Sequence, residues 1–359
     1  MTNIKWLIGL LSSFVLINTA NSQIPKGEVV GAELIQFKST INNQDYQLYI
    51  KLPPSYSSDT TKSYPVMYCL DGQWDFPLIM ELKGGLLYDN LMTEAIFVGI
   101  AWPDNYFVNR NRDFTPTHTG FDSVSGGASN FLKVIKDEII SRIDAKYRTD
   151  KINNGLLGHS SGGLFVLYTL FQQPSPFNRF IATSPSLWYD DELMLKTEKS
   201  FATQHHQLKA KLFIASGGYE EENDPPMYKN FVQQLNKTKY KGFEMDTLVV
   251  EKTGHQSEAP YAIVRGLQFV LGRPDLILDS VLLNQYAGHY DQGINIICKN
   301  RALYASFGGK EIKMNAATDK QFYIPGMNGE SEFKRDEKGK VTGFQFDGAD
   351  AHMFVKKID

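Results

Sequence analysis

Residues 153–163 read Asn-Asn-Gly-Leu-Leu-Gly-His-Ser-Ser-Gly-Gly, and Leu164-Phe165-Val166-Leu167-Tyr168 follow. One apolar run enters the turn Gly158-His159-Ser160-Ser161-Gly162 and a second leaves it. That pattern predicts a strand, a sharp turn and a helix, with a serine at the apex. Such a turn holds its central residue in strained backbone geometry and admits only small neighbours, and Gly158 and Gly162 supply the room. The expected outcome is a hydroxyl raised above a sheet edge with a helix N-terminus beneath it. Ser160 is therefore the candidate nucleophile.

Outward from that turn the chain alternates. Glu33–Ser39 and Tyr46–Leu52 carry alternating apolar residues and read as antiparallel opening strands. Pro65–Leu70 and Ala95–Ala101 are nearly continuous apolar runs, as central parallel strands covered on both faces require. Phe131–Tyr147 has helical periodicity through Phe131, Leu132, Val134, Ile135, Ile139, Ile140 and Ile143. Phe180–Thr183, Leu212–Ala215 and Phe243–Val250 are further strands, and Tyr261–Leu271 is a last helix. Strand and helix in alternation predict an α/β fold with a doubly wound, mostly parallel sheet.

Gly272-Arg273-Pro274-Asp275 ends that helix, and the texture changes from Leu283 onward. Short strands are expected at Tyr286–Tyr290, Ile294–Cys298, Ala302–Phe307, Glu311–Met314, Gln321–Ile324, Ser331–Arg335 and Gly343–Phe346. Gly308-Gly309 and Glu337-Lys338-Gly339 would be hairpin turns. The organisation expected is a signal peptide at 1–22, an α/β domain at 23–272, a linker at 273–282 and a small all-β domain at 283–359.

The signal-peptide reading rests on Lys5, the apolar run Trp6–Ile17 and small residues Ala20 and Ser22 just before Gln23. The run is short for a membrane span. An exported, periplasmic or secreted protein without an integral membrane segment after cleavage is expected. The formal charge of −3 gives no basic excess, so no nucleic-acid partner is expected. Cys69 and Cys298, the two cysteines, read as isolated thiols, and no metal-ligand spacing or cofactor motif occurs.

A serine nucleophile needs a base, and the base an orienting carboxylate. In this topology the chain order is serine, acid, histidine, each in a loop after a strand. Of the seven histidines, His159 lies inside the turn itself. His118, His205 and His206 precede or miss the slot, and His289 and His352 fall in the all-β part. His255, in Lys252-Thr253-Gly254-His255-Gln256, follows the strand Phe243–Val250 and is the candidate base. The acid should follow Lys211–Ala215, where Glu220, Glu221, Glu222 and Asp224 compete. Glu220 is favoured, with Glu221 next. An oxyanion hole needs two backbone N–H groups. Ser161, after the nucleophile, and Gln73, in the loop Asp71-Gly72-Gln73, are the candidates.

Tyr68-Cys69-Leu70-Asp71-Gly72 resembles a segment typical of the esterase family of the α/β hydrolases. Val98-Gly99-Ile100, Arg110-Asn111-Arg112-Asp113-Phe114-Thr115-Pro116, Gly158–Gly163, Ser184-Pro185-Ser186-Leu187-Trp188 and Gly254-His255 follow in order, and resemble its siderophore-esterase-like branch. The resemblance covers about residues 28–272. It implies a Ser160–His255 pair and supports an acid at Glu220, although some members resemble Ser–His dyads. The C-terminal part loosely resembles lipocalin-like modules of secreted hydrolases. A secreted serine esterase is expected, acting on a small-molecule or glycan ester, a siderophore or carbohydrate ester among the options. Arg110, Arg112 and Trp188 are candidate substrate contacts, while Arg112-Asp113 equally suits a loop pin. An inactive binding protein on a hydrolase scaffold and an acyltransferase are the alternatives. Oligomeric state is not legible.

Overall fold

The computed structural model describes residues 31–120, 123–223 and 226–358. The expected signal peptide and Asp224 lie outside the described residues. The first sheet has eight strands: β1 Glu33–Lys38, β2 Asp45–Lys51, β3 Tyr64–Cys69, β4 Ile96–Ala101, β5 Thr149–His159, β6 Arg179–Thr183, β7 Gln207–Gly217 and β8 Lys241–Val250. Their spatial order is β1-β2-β4-β3-β5-β6-β7-β8. The pairs β1–β2 and β2–β4 are antiparallel and the remaining pairs parallel, which is the mostly parallel sheet expected.

Successive side chains of a strand point to opposite faces, and the two faces here bury two separate cores. Val66, Tyr68, Ile96, Val98, Phe180, Ala182, Leu212 and Ile214 join one core. Met67, Cys69, Phe97, Ile181, Phe213 and Ala215 join the other. Burial on both faces is why these strands read as continuous apolar runs rather than alternating ones. The helices Gly72–Tyr88 and Ala259–Leu271 cover the second face.

The helix expected at 131–147 forms as Ala128–Lys133, a π-helical stretch Val134–Ile140, and Ser141–Lys146. Val134, Ile135, Ile139 and Ile140 are all buried there. Pairs five residues apart return to one face only when the turn is widened to i→i+5.

The second sheet is a meander of eight antiparallel strands: β9 Gly288–His289, β10 Asn295–Lys299, β11 Ala302–Phe307, β12 Lys310–Ala316, β13 Gln321–Tyr323, β14 Glu330–Arg335, β15 Val341–Asp347 and β16 His352–Lys356. A Tyr290–Lys357 bridge joins its two ends. The interior is packed with Tyr286, Tyr290, Phe322, Phe333 and Phe344. Two elements differ from expectation. Ser280–Tyr286, expected as linker and strand, is a helix capped by the Asp279 side chain accepting from the Val281 N–H. It contributes Leu283 and Tyr286 to the core, and the strand after it shrinks to two residues. β16 was not expected; its single buried residue, Val355, leaves almost no apolar signal.

Arg273 clamps the two parts together, hydrogen bonding to Glu330 and Asn90 and lying over the Tyr323 ring. The Asn90 side chain donates to the carbonyls of Met327 and Gly329, at 2.8 Å each. Both cysteines are free. Among the described residues no helix is long and apolar enough to cross a membrane, and no cluster of three metal-ligating side chains occurs.

Candidate active site

Ser160 sits between β5 and the helix Ser161–Leu170 with φ 58° and ψ −118°. A side chain held there costs on the order of 1–3 kcal/mol, and the surroundings over-determine it. Ser160 N–H donates to the Thr183 carbonyl, and the Ser160 carbonyl accepts from Leu164 and Ser186. A Cβ on Gly158 would lie 2.5 Å from the Gly162 carbonyl, so glycine is what lets strand and helix meet this closely. Among the described residues the hydrogen-bond partner of Ser160 Oγ is Ser186 Oγ, at 3.5 Å.

Ser161 N–H opens its helix, and Gln73 N–H lies in the first turn of Gly72–Tyr88. Backbone donors in a first turn have no intrahelical acceptor. Asp71, at φ 53°, makes the bend that ends β3 and starts this helix. Its buried carboxylate takes both oxygens to Arg110 Nε, at 2.9 and 3.0 Å. Arg110 Nη2 also donates to the His159 carbonyl at 3.0 Å. Arg110 thus ties the Gln73 loop to the Ser160 turn, and its guanidinium is spent on protein acceptors. Arg112 is likewise engaged, bidentate on Asp113 and donating to Gln44 and Asn109. Asp113 in turn accepts from Tyr46 and Trp102. The loop-pin alternative describes Arg112's contacts.

His255 follows β8 and Glu220 follows β7. His255 Nδ1 lies 2.7 Å from Glu220 Oε1. Glu220 Oε2 accepts from Ser184 Oγ at 2.6 Å and from Gly217 N–H at 2.9 Å. Burial pushes the Glu220 carboxyl up, but the bonds from His255, Ser184 and Gly217 outweigh it and leave it at about 2. Glu221 faces Ser216 instead, and Glu222 is exposed. Gly217 lets the histidine loop close: a Cβ there would lie 2.8 Å from the Thr253 carbonyl. The His255 ring packs on the ring of His159, centroids 4.8 Å apart, which sets it against the Ser160 turn.

A cleft of about 810 Å³ adjoins Ser161, lined by Asn111, Thr115, His118, Trp188 and Tyr189 among others. Trp188 is 64% exposed there. The loop behind it is clipped by Tyr189 Oη to the Thr117 carbonyl and Thr117 Oγ1 to Asp190, and Asp190–Glu192 are left-handed. Ser184, which orients Glu220, and Ser186, beside Ser160, had no role assigned from sequence. Their signal was present in Ser184-Pro185-Ser186, but the pairing spans 36 residues for Ser184 and 26 for Ser186.

The family model described as "Putative esterase" matches residues 39–261. The ferri-bacillibactin esterase of Bacillus subtilis is 27% identical over 274 residues, covering 69% of this chain and 91% of that protein. A solved structure titled BES protein from Bacillus cereus superposes with a TM-score of 0.60 at 26% identity, covering 70% of this chain and 99% of that one. An IroE-like serine hydrolase from Shewanella oneidensis superposes with a TM-score of 0.61 at 25% identity, covering 71% and 84%.

Proposed function

From the premise that this chain belongs to the Putative esterase family and is a carboxylic ester hydrolase, we propose that it works through an acyl-enzyme on Ser160. His255 takes the Ser160 proton on Nε2 as Oγ attacks the ester carbonyl. The N–H groups of Ser161 and Gln73 hold the oxyanion. The tetrahedral adduct collapses, the C–O bond to the alcohol breaks, and His255 returns the proton to the departing oxygen. Water then attacks the acyl carbon and gives a proton to His255; the bond from that carbon to Ser160 Oγ breaks, and His255 returns the proton to Oγ as the acid leaves. Glu220 fixes the His255 tautomer with Nδ1–H toward itself, and being ionised at neutral pH it stabilises the imidazolium formed at each step.

The observation carrying this reading is the contact of His255 Nδ1 with Glu220 Oε1 at 2.7 Å. One carboxylate of a four-acid run is turned inward onto the histidine that chain order singles out. The open Ser160–His255 bond does not oppose it, because such bonds are commonly loose without substrate and tighten on binding.

The relative named for ferri-bacillibactin hydrolysis supports a siderophore ester as substrate. The aromatic wall at Trp188 is compatible with an aryl-bearing acyl group. Export to the periplasm or beyond, after removal of residues 1–22, belongs to the same proposal. The test is mass measurement after a fluorophosphonate probe, alongside burst kinetics with p-nitrophenyl acetate and butyrate. A single adduct on Ser160 with turnover is expected; folded protein with neither overturns the assignment.

A further inference from the structure

Beneath His255 lies a second histidine–carboxylate contact that the reaction as written does not use. Glu258 is fully buried, and among the described residues neither of its carboxylate oxygens has a hydrogen-bond partner. It stands at the N-cap of the helix Ala259–Leu271 but does not cap it with its side chain. Its Oε1 instead faces His159 Nδ1 at 3.5 Å, and Thr183 Oγ1 lies 3.1 Å from the same nitrogen. His159 is the residue whose ring packs on His255. One short turn therefore presents His255 outward to Glu220 and drops Glu258 inward under the ring on which His255 rests.

A buried carboxylate without hydrogen bonds is costly, and an apolar residue of the same size would pack at no such cost. What a carboxylate carrying its charge supplies, and an apolar side chain does not, is a negative potential in a region of low dielectric. We propose that His159 and Glu258 are positioning residues. His159, its Nδ1 hydrogen bonded with Thr183 Oγ1 and facing the Glu258 carboxylate, seats the His255 ring, and the Glu258 charge supports His255 when it takes the Ser160 proton. This rests on the acyl-enzyme reading above. The other charged groups facing His159 are Asp71 and Asp75 on the turn and helix at Gly72–Tyr88, and Arg110 on the helix Tyr106–Phe114. Arg110 answers Asp71 directly. Burial, and then repulsion from Asp71, pushes the Asp75 carboxyl up to about 6. Glu258 itself is faced by Tyr228, on the helix Met227–Thr238, and by His159 Nδ1 at 3.5 Å.

The experiment is the rate of covalent labelling of Ser160 by a fluorophosphonate probe against pH, in the full chain and in Glu258→Gln, Glu258→Asp and His159→Gln. Removing a negative charge near the base weakens its hold on a proton. Glu258→Gln should therefore move the acid limb of the profile down by roughly half to one pH unit and lower the plateau several-fold. Glu258→Asp, which keeps the charge, should hold the limb near its original place. His159→Gln should lower the plateau and leave the limb, so the inference stays testable even where one Glu258 variant does not fold. An unmoved limb in folded Glu258→Gln overturns the proposal, as does an equal shift in the Asp and Gln variants. Failure of the unaltered protein to label at Ser160 instead overturns the acyl-enzyme reading itself.

Discussion

Each of the two sheets has eight strands, but they use their connections differently. In the first, the parallel strands β3, β5, β7 and β8 end along one rim. The turns and first helical turns after them carry Gln73, Ser160, Glu220 and His255 along that rim. Parallel strands need crossover helices, so all their C-terminal loops fall on the same side. In the second sheet each strand returns on its neighbour through a turn, and the loops alternate between the two ends. Its interior holds five packed aromatic rings. The comparison teaches that strand direction, more than strand number, gathers polar side chains to one place.

The sharpest way to break this contrast is Ser160→Ala. Ester hydrolysis should fall by at least about 1,000-fold with the circular dichroism unchanged. Hydrolysis that survives would move the chemistry off the rim. Glu220→Gln comes next, since the amide cannot hold His255 in the same tautomer; kcat should drop by about 100- to 10,000-fold with KM little changed. An equal loss in Glu221→Gln would contradict the choice between neighbours.

Phe333→Ala tests the other sheet. Phe333 is buried and touches Tyr286, Tyr290, Phe322 and Phe344. Truncation should destabilise that module by about 3–5 kcal/mol, seen in a thermal melt, while kcat stays within about twofold below the transition. A fall in kcat parallel to the loss of stability would tie the two regions together. The smallest effect concerns acid stability. The folded Glu220 carboxyl is held at about 2 against an ordinary 4.5, so its contribution is full above about pH 4.5 and fades as pH falls toward 2. Glu220→Gln should flatten the pH dependence of the melting temperature in that window and leave its slope above pH 5 alone.

Much of the rim was legible because its signals are local. A strand, a glycine-bounded serine and a helix are contiguous in 153–170, and chain order alone isolates His255. The choice of Glu220 over Glu221 was favoured but not fixed, since neighbours on one helical turn differ only in direction. Arg110 read as a substrate contact, because its partner Asp71 lies 39 residues away. Glu258 gave no signal at all: a glutamate before a helix reads as an ordinary N-terminal charge. In the second sheet the Gly-containing hairpins were readable, whereas β16 and the helix Ser280–Tyr286 bury too few residues to leave a period.

The helix Gly72–Tyr88 has one further consequence. It begins beside Gln73, the proposed oxyanion donor, and ends where Asn328 of the meander donates to the Tyr88 carbonyl. Seventeen residues at 1.5 Å each make it a rod of about 25 Å. The meander is thus a handle at the far end of that rod. A bead, a surface or a fusion partner joined to the meander beside Asn328 is held about one helix length from Gln73.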